Sequence, residues 1–239
     1  MKKAIVLGAS SGIGMELARL LAGDGCMVGL AARRVDALDE LARELGGGAR
    51  VKRIDLAGPE EAARLLRGFI DELGGADLIV ISSGVDRFTP ALEWEPTREI
   101  IDVNVAGFTA VANEAYRYFE SRGEGHLVGI SSIAALRGNE GHPAYSASKA
   151  FVSNYMEGLR IKAMNAGLAI TVTDIRPGNV DTPMSRGQEG LFWVAPPRKA
   201  AAQILEAIRK KKNIAYVTRR WRAVAHLMRI LPVGIWRKL

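Results

Sequence analysis

Seven short apolar runs, KAIVLG, CMVGLAA, ARVKRID, DLIVISS, HLVGISS, AITVTDI and NIAYVT, recur along the 239-residue chain, and most intervals carry helix-period patterns such as DALDELARELG and PEEAARLLRGFIDELG. Strand and helix alternate throughout. Near-continuous apolar strands joined by helices of this length call for a parallel sheet buried on both faces, so the expected architecture is a doubly wound, Rossmann-type α/β fold. A chain of this length at 48% hydrophobic can fill one such core, and no repeat or low-complexity linker divides it. Two long helical stretches, about 97 to 122 and 144 to 166, flank the HLVGISS run. Sheet order is not readable from the pattern.

Cys26 is the one cysteine, which excludes an internal disulfide, and the opening Met-Lys-Lys is followed at once by AIVLG, too short for a signal peptide's apolar core. A cytoplasmic protein is expected. No run of eighteen apolar residues is present, which argues against a spanning helix and leaves attachment to a membrane surface open. The net charge of +7 is uneven: between Arg198 and Leu239 lie twelve Lys and Arg and one acid, Glu206, so that segment carries +11 and the rest −4. Basicity belongs to the tail. That argues against nucleic-acid binding, which would want a basic stripe on the folded body.

The chain therefore divides into an expected body, residues 1–218, and a basic amphipathic tail, 219–239, RRWRAVAHLMRILPVGIWRKL. On a helical wheel Arg222, His226 and Arg229 form a polar face, and Trp221, Val224, Leu227, Met228 and Leu231 a broad apolar side. Pro232 should end or bend this helix, beyond which Ile235 and Trp236 stand beside two more cations. The face suits either an anionic membrane or packing against the body or a partner subunit.

The first apolar run ends in LGASSGIG, and a helix pattern follows directly, so Gly8, Gly12 and Gly14 sit at a strand-to-helix junction. Glycines there let the backbone turn sharply and approach a pyrophosphate, whose charge the helix N-terminus attracts. The same letters hold Gly8-x-Ser10-x-Gly12, the spacing of a hydrolase nucleophile elbow. That fold needs its serine deep in the sheet, with an acid and then a histidine downstream. Only nine residues precede Ser10, so the architecture does not match.

After the second run, where an NAD-binding chain would place an acid for the ribose hydroxyls, the sequence reads AARR. Ala32 removes a carboxylate that would repel a 2′-phosphate, and Arg33 and Arg34 offer forked donors to one. NADP is thus expected over NAD. The plainer alternative is a solvated pair at a helix start, although the dipole there favours acids.

In HPAYSASKAF, Tyr145 and Lys149 stand one helical turn apart, so both can reach a ligand along one face. An ammonium near a phenol favours the phenolate, which would make the pair an acid/base device. With five tyrosines such a spacing arises by chance roughly 0.2 times per chain, so the pair needs a context.

Several ordered motifs supply one, and over about residues 3 to 185 the chain resembles the short-chain dehydrogenase/reductase family. The glycine loop matches Gly-x-x-x-Gly-x-Gly, RIDLA holds Asp55 and Leu56, VNVAG holds Asn104, GISSIAA holds Ser132, and RPGNVDTPM matches the family's Pro-Gly stretch. Two departures stand out. Leu7 replaces the usual threonine, and Ile81-Ser82-Ser83-Gly84 replaces Asn-Asn-Ala-Gly, which removes amides that brace the central strands in the family.

The resemblance implies an NADP(H)-dependent oxidoreductase acting on a small-molecule ketone or secondary alcohol, and a homo-oligomer paired through the two long helices, whose apolar positions include Phe151, Val152, Tyr155 and Met156. It implies a catalytic group of Asn104, Ser132, Tyr145 and Lys149, with no metal. Tyr145 would donate a proton, Ser132 hold the substrate oxygen, Lys149 bind ribose and, with the cationic oxidised ring, lower the phenol's pKa, and Asn104 position a water. The cofactor would lie along Gly8, Ser10, Ser11, Gly12, Ile13 and Gly14, with Arg33 and Arg34, Asp55 and Leu56 facing adenine, Ser83 and Gly84, and Pro177, Gly178, Val180 and Thr182 near the nicotinamide. The segment after Thr182 should form a lid whose Met184, Leu191, Phe192 and Trp193 suit either an apolar cover over a lipophilic or lipid-linked substrate, or packed core or a subunit contact. The alternative from another class is a cofactor-sensing protein without turnover.

Overall fold

The computed structural model describes residues 2–186 and 190–236. Seven strands, β1 (Lys3–Leu7), β2 (Met27–Ala32), β3 (Ala49–Arg53), β4 (Leu78–Ile81), β5 (Glu124–Ile130), β6 (Ala169–Pro177) and β7 (Ile214–Val217), form one sheet in the order β3-β2-β1-β4-β5-β6-β7. Every neighbouring pair is parallel. All seven apolar runs became strands.

Successive side chains on a strand point to opposite faces, and the strands use both. Ile5, Leu7, Ile79 and Ile81 enter one core, with Leu66 and Phe69 of α3 (Pro59–Glu72), Phe108 and Val111 of α5 (Phe108–Arg122), and Val152 and Met156 of α6 (Pro143–Asn165). Ala4, Val6, Leu78 and Val80 enter the other, with Leu17 of α1 (Gly12–Gly23), Leu38 of α2 (Val35–Glu44) and Ile204 of α7 (Pro197–Arg209). Pro59, Pro143 and Pro197 sit in the first turns of their helices, where a missing N–H costs nothing.

The first long helical stretch is continuous from α4 (Trp94–Ile101) to the end of α5, but Asp102–Gly107 between them is wound as a π-helix. Such turns are rare and gather at functional sites. Gly107 permits it: a Cβ there would lie 2.0 Å from the Leu56 carbonyl oxygen.

The tail continues as α8 (Trp221–Ile230) and α9 (Val233–Trp236), separated at Pro232. Trp221, Ala225 and Met228 pack with Ile133 in a small core of their own, and Arg137 donates to the carbonyls of Met228 and Leu231, closing the C-terminal end of α8 against the body. The single apolar side expected from the wheel is not what forms. Trp221 and Met228 are buried while Leu227 is exposed, because only one stripe of a helix fits against a flat neighbour. The last two cations of the tail lie outside the described residues.

Candidate active site

The sheet order reverses between β1 and β4, and a doubly wound sheet opens a crevice at the carboxyl ends of its strands at such a point. The glycine loop follows β1 there. Gly8 and Gly12 take φ of 90° and 56°, which side chains rarely adopt. A Cβ at Gly14 would lie 2.3 Å from the Gly8 carbonyl oxygen, and one at Gly8 would lie 2.6 Å from the Ser83 nitrogen. Ser11 caps α1 without a side-chain bond, so the first-turn N–H groups of Gly12, Ile13 and Gly14 are left to an outside acceptor. This cradle fits a pyrophosphate.

The two arginines after β2 are not equivalent. Arg34 donates to the Ser10 and Ser11 hydroxyls at 3.1 and 2.9 Å, placing a guanidinium on the rim of the loop. Arg33 is exposed and makes no hydrogen bond or ion pair among the described residues. Asp55 is half-buried and accepts from the Ala57 N–H, whereas the Leu56 side chain is taken up by the core.

Tyr145 and Lys149 lie on the first turns of α6, beside the end of β5. Ser132 begins the 3-10 turn Ile133–Leu136, where its hydroxyl accepts from the Ala134 N–H at 3.1 Å and is near enough to the Tyr145 phenol to favour its ionised form. The Lys149 ammonium donates to the Ile130 carbonyl at 3.1 Å and lies 5.7 Å from the centre of the tyrosine ring. Serine, tyrosine and lysine thus meet at one point.

The electrostatics differ from expectation. Burial, followed by the nearby Asp86 carboxylate, pushes the Tyr145 phenol up to about 12 against the opposing Ser132 hydroxyl, and burial lowers Lys149 to about 8 although Asp86 and Asp174 work to raise it. In the chain by itself, burial and Asp86 outweigh what would lower the phenol. Asp86 was missed by sequence reasoning because it arrives from the loop after β4. Its carboxylate bonds His142 Nδ1 at 2.9 Å, three residues before Tyr145, and the His142 ring lies against Phe88.

Asn104 sits in the π-helical turn, fully buried. Its amide nitrogen donates to the Val85 carbonyl at 2.8 Å and to Ser148 Oγ at 3.0 Å, and its amide oxygen accepts from the Val85 N–H at 2.8 Å. Both donors of the amide are spent on protein, while its oxygen accepts only this one bond among the described residues and keeps a second lone pair with which it could accept from a water, as expected from the motif.

Beyond β6, the Thr182 methyl would lie 3.0 Å from a Cβ at Gly12, so this residue leans over the glycine loop. Val180 bridges Ala195, and Pro177 ends the strand. Gly178 carries the Trp221 indole directly on its backbone; a Cβ there would meet the ring at 2.0 Å. Phe192 and Trp193 lie 5.1 and 6.0 Å from the same indole, centre to centre, and Arg220 stacks on Trp193 at 4.9 Å. Of the residues expected to form an apolar cover, Phe192 and Trp193 rest on the tail, while Met184 is exposed and Leu191 half-buried.

The description of the family model matched by residues 2–190 is short chain dehydrogenase. The chain belongs to this family. An oxidoreductase of Myxococcus xanthus is 42% identical over 77% of the chain and 74% of its own length, and one of Mycobacterium tuberculosis is 30% identical over 99% and 96%. Among solved structures, an actinorhodin polyketide ketoreductase with NADPH superposes with a TM-score of 0.78 at 26% identity, covering 90% of this chain and 95% of that one. A family member from Burkholderia phymatum with NAD shares the fold at a TM-score of 0.85 and 21% identity, over 95% and 92%. This short-chain dehydrogenase is an NAD(P)-dependent oxidoreductase.

Proposed function

We propose that this dehydrogenase reduces a lipophilic ketone with NADPH, or oxidises the matching secondary alcohol with NADP. The observation that carries the reading is the phenol of Tyr145 beside Ser132 and one helical turn from a buried Lys149, whose ammonium lies 5.7 Å from the tyrosine ring centre. The nicotinamide, when bound, supplies or takes the hydride. Ser132 holds the substrate oxygen on which negative charge develops, and Tyr145 gives that oxygen its proton. A phenol is protonated at neutral pH, the form a reduction consumes, and burial and Asp86 hold Tyr145 further to that side. Lys149 faces the resulting phenolate and holds the cofactor's ribose. Asn104 is a positioning residue: it fixes Val85 next to Gly84, whose absent Cβ leaves room for the Lys149 ammonium.

The preference for NADP rests on Ala32 in place of an acid and on Arg34 at the loop rim beside Ser10 and Ser11. The ketoreductase with NADPH to which the chain is similar supports both cofactor and ketone. The aromatic group of Phe192, Trp193 and Trp221 favours an apolar substrate. The enzyme is read as a cytoplasmic homo-oligomer; on α6 Val152 and Met156 belong to the core, leaving Phe151, Ile161 and Met164 exposed for a partner subunit. No helix among the described residues is long and apolar enough to cross a membrane.

A panel of carbonyl compounds from polar sugars to long-chain ketones, assayed for NADPH and NADH oxidation, tests the reading. Turnover should rise with apolar chain length and favour NADPH. Tight NADPH binding with no turnover on any member would assign the chain to cofactor sensing instead.

A further inference from the structure

Helix α8 carries three stripes rather than two. Trp221, Ala225 and Met228, spaced four and three apart, face the body and are buried. Arg222, His226 and Arg229 follow one residue behind, about 100° around the helix, and all are exposed. Ala223, Leu227 and Ile230 come next, about 200° from the buried stripe, and are exposed as well. The side of α8 opposite the protein is therefore apolar, where a surface helix ordinarily presents charge.

Single exposed apolar residues need no explanation, but these form a continuous edge. Leu227 is 48% exposed and Ile230 65%, and beyond Pro232 Val233 at 68% and Ile235 at 51% are exposed as well. Arg222 and Arg229 border the edge, and neither meets an acid among the described residues. No acid follows Glu206 anywhere in the chain. A partner surface must then supply apolar cover and negative charge together.

We infer that the outer face of α8 and α9 docks on an anionic membrane surface, with the helices lying in the plane of the interface. An amphipathic helix does this by burying its apolar edge at the headgroup boundary while flanking cations meet anionic lipid. The helix is fit to transmit position. Arg137 ties its C-terminal carbonyls to the body, its inner stripe packs on Ile133 next to Ser132, and Trp221 covers Gly178 and touches Phe192 and Trp193. Docking would set the aromatic cover of the site against the lipid. The docking itself stands apart from the proposed substrate, and its test does not depend on turnover of a lipid.

The test is co-sedimentation of the full chain with vesicles of phosphatidylcholine alone or mixed with phosphatidylserine. Binding should require phosphatidylserine and fall as salt rises. Leu227→Gln with Ile230→Gln should lower the partition constant by at least ~10-fold. Arg222→Gln with Arg229→Gln should lower it about fivefold per charge. Both variants should keep the thermal midpoint and the rate on a small soluble ketone, because none of the four side chains touches the site. Absence of sedimentation by the intact chain, or sedimentation indifferent to both variants, would overturn the inference. So would a dimer, seen without vesicles, that the glutamine substitutions at Leu227 and Ile230 dissolve, since a second copy would then cover the face. Loss of NADPH oxidation with vesicle binding intact would strike the proposed activity and leave the docking standing.

Discussion

Asp174→Asn is the perturbation that most directly joins the stability of the fold to the chemistry of the site. Asp174 lies on β6, fully buried, and accepts from Arg176 Nε at 2.7 Å, from Ser153 Oγ at 2.7 Å and from the Ser131 hydroxyl. Arg176 is buried too, and its remaining donors go to Ser153 and to the Tyr216 hydroxyl at 3.1 Å. The amide keeps the shape but removes the charge, leaving the guanidinium uncompensated and an NH2 group facing donors. Breaking a buried pair in this way costs about 3–5 kcal/mol, far more than an exposed pair. For a chain of this length, at roughly 2–4 °C per kcal/mol, the thermal midpoint should fall by about 6–20 °C. The double variant Asp174→Asn with Arg176→Met removes the stranded charge and should recover most of the loss. Denaturant unfolding of the wild type, the single and the double variant measures this. Asp174 also helps keep Lys149 charged against its burial, so the single variant should lose activity at a lower pH on the alkaline side. A single variant within ~1 kcal/mol of wild type, or a double variant no more stable than the single, would refute the reasoning.

Tyr145→Phe should retain NADPH binding, measured by fluorescence titration, while turnover falls at least ~10²-fold; preserved turnover would remove Tyr145 as proton donor. Arg34→Ala should raise KM for NADPH at least ~10-fold with little change for NADH, and Arg33→Ala should do less; equal effects of Arg34→Ala on both cofactors would mean that it only braces the serines. Burial lowers His126 to about 4, with Lys211 adding to the effect, and its Nε2 pairs with Thr173 Oγ1 at 2.8 Å. Because the unfolded chain binds that proton more readily, this stability is complete above pH 6.5 and is lost as pH falls toward 4, amounting to about 3 kcal/mol. Denaturant unfolding from pH 7 to 4 should therefore show His126→Gln losing about that much less than wild type, and parallel pH curves would exclude the linkage.

The strands were legible because burial on both faces demands unbroken apolar runs, and a run such as LIVI has no other use in a chain of this kind. Their order in the sheet was not, since parallel neighbours are joined across helices and nothing local encodes which edge a strand joins. The helix around Asn104 was legible by period, yet its π-helical turn was not. The close approach of Gly107 to Leu56 that permits it lies between residues far apart in sequence. The tail shows a different limit. A helical wheel finds apolar residues but cannot say which stripe the body takes, so Trp221 and Leu227 looked alike until one was buried and the other was not. The tyrosine and lysine were legible as a pair, whereas their charge states depend on Asp86 and Asp174, which other elements bring in.

Much of the loop after β4 converges on Asn104. At the switch point β1 and β4 bring two backbone turns so close that a Cβ at Gly8 would strike the Ser83 nitrogen. Asn104 clamps the chain just beyond, gripping both the N–H and the carbonyl of Val85. A fixed Val85 fixes its neighbours: Gly84, beside the Lys149 ammonium, and Asp86, whose carboxylate holds His142 at the start of α6. His142 is three residues from Tyr145, so the same clamp sets the entry of the helix that carries both reacting side chains. In the proposed mechanism the asparagine has a geometric part, reaching the phenol through covalent chain and three hydrogen-bonded contacts.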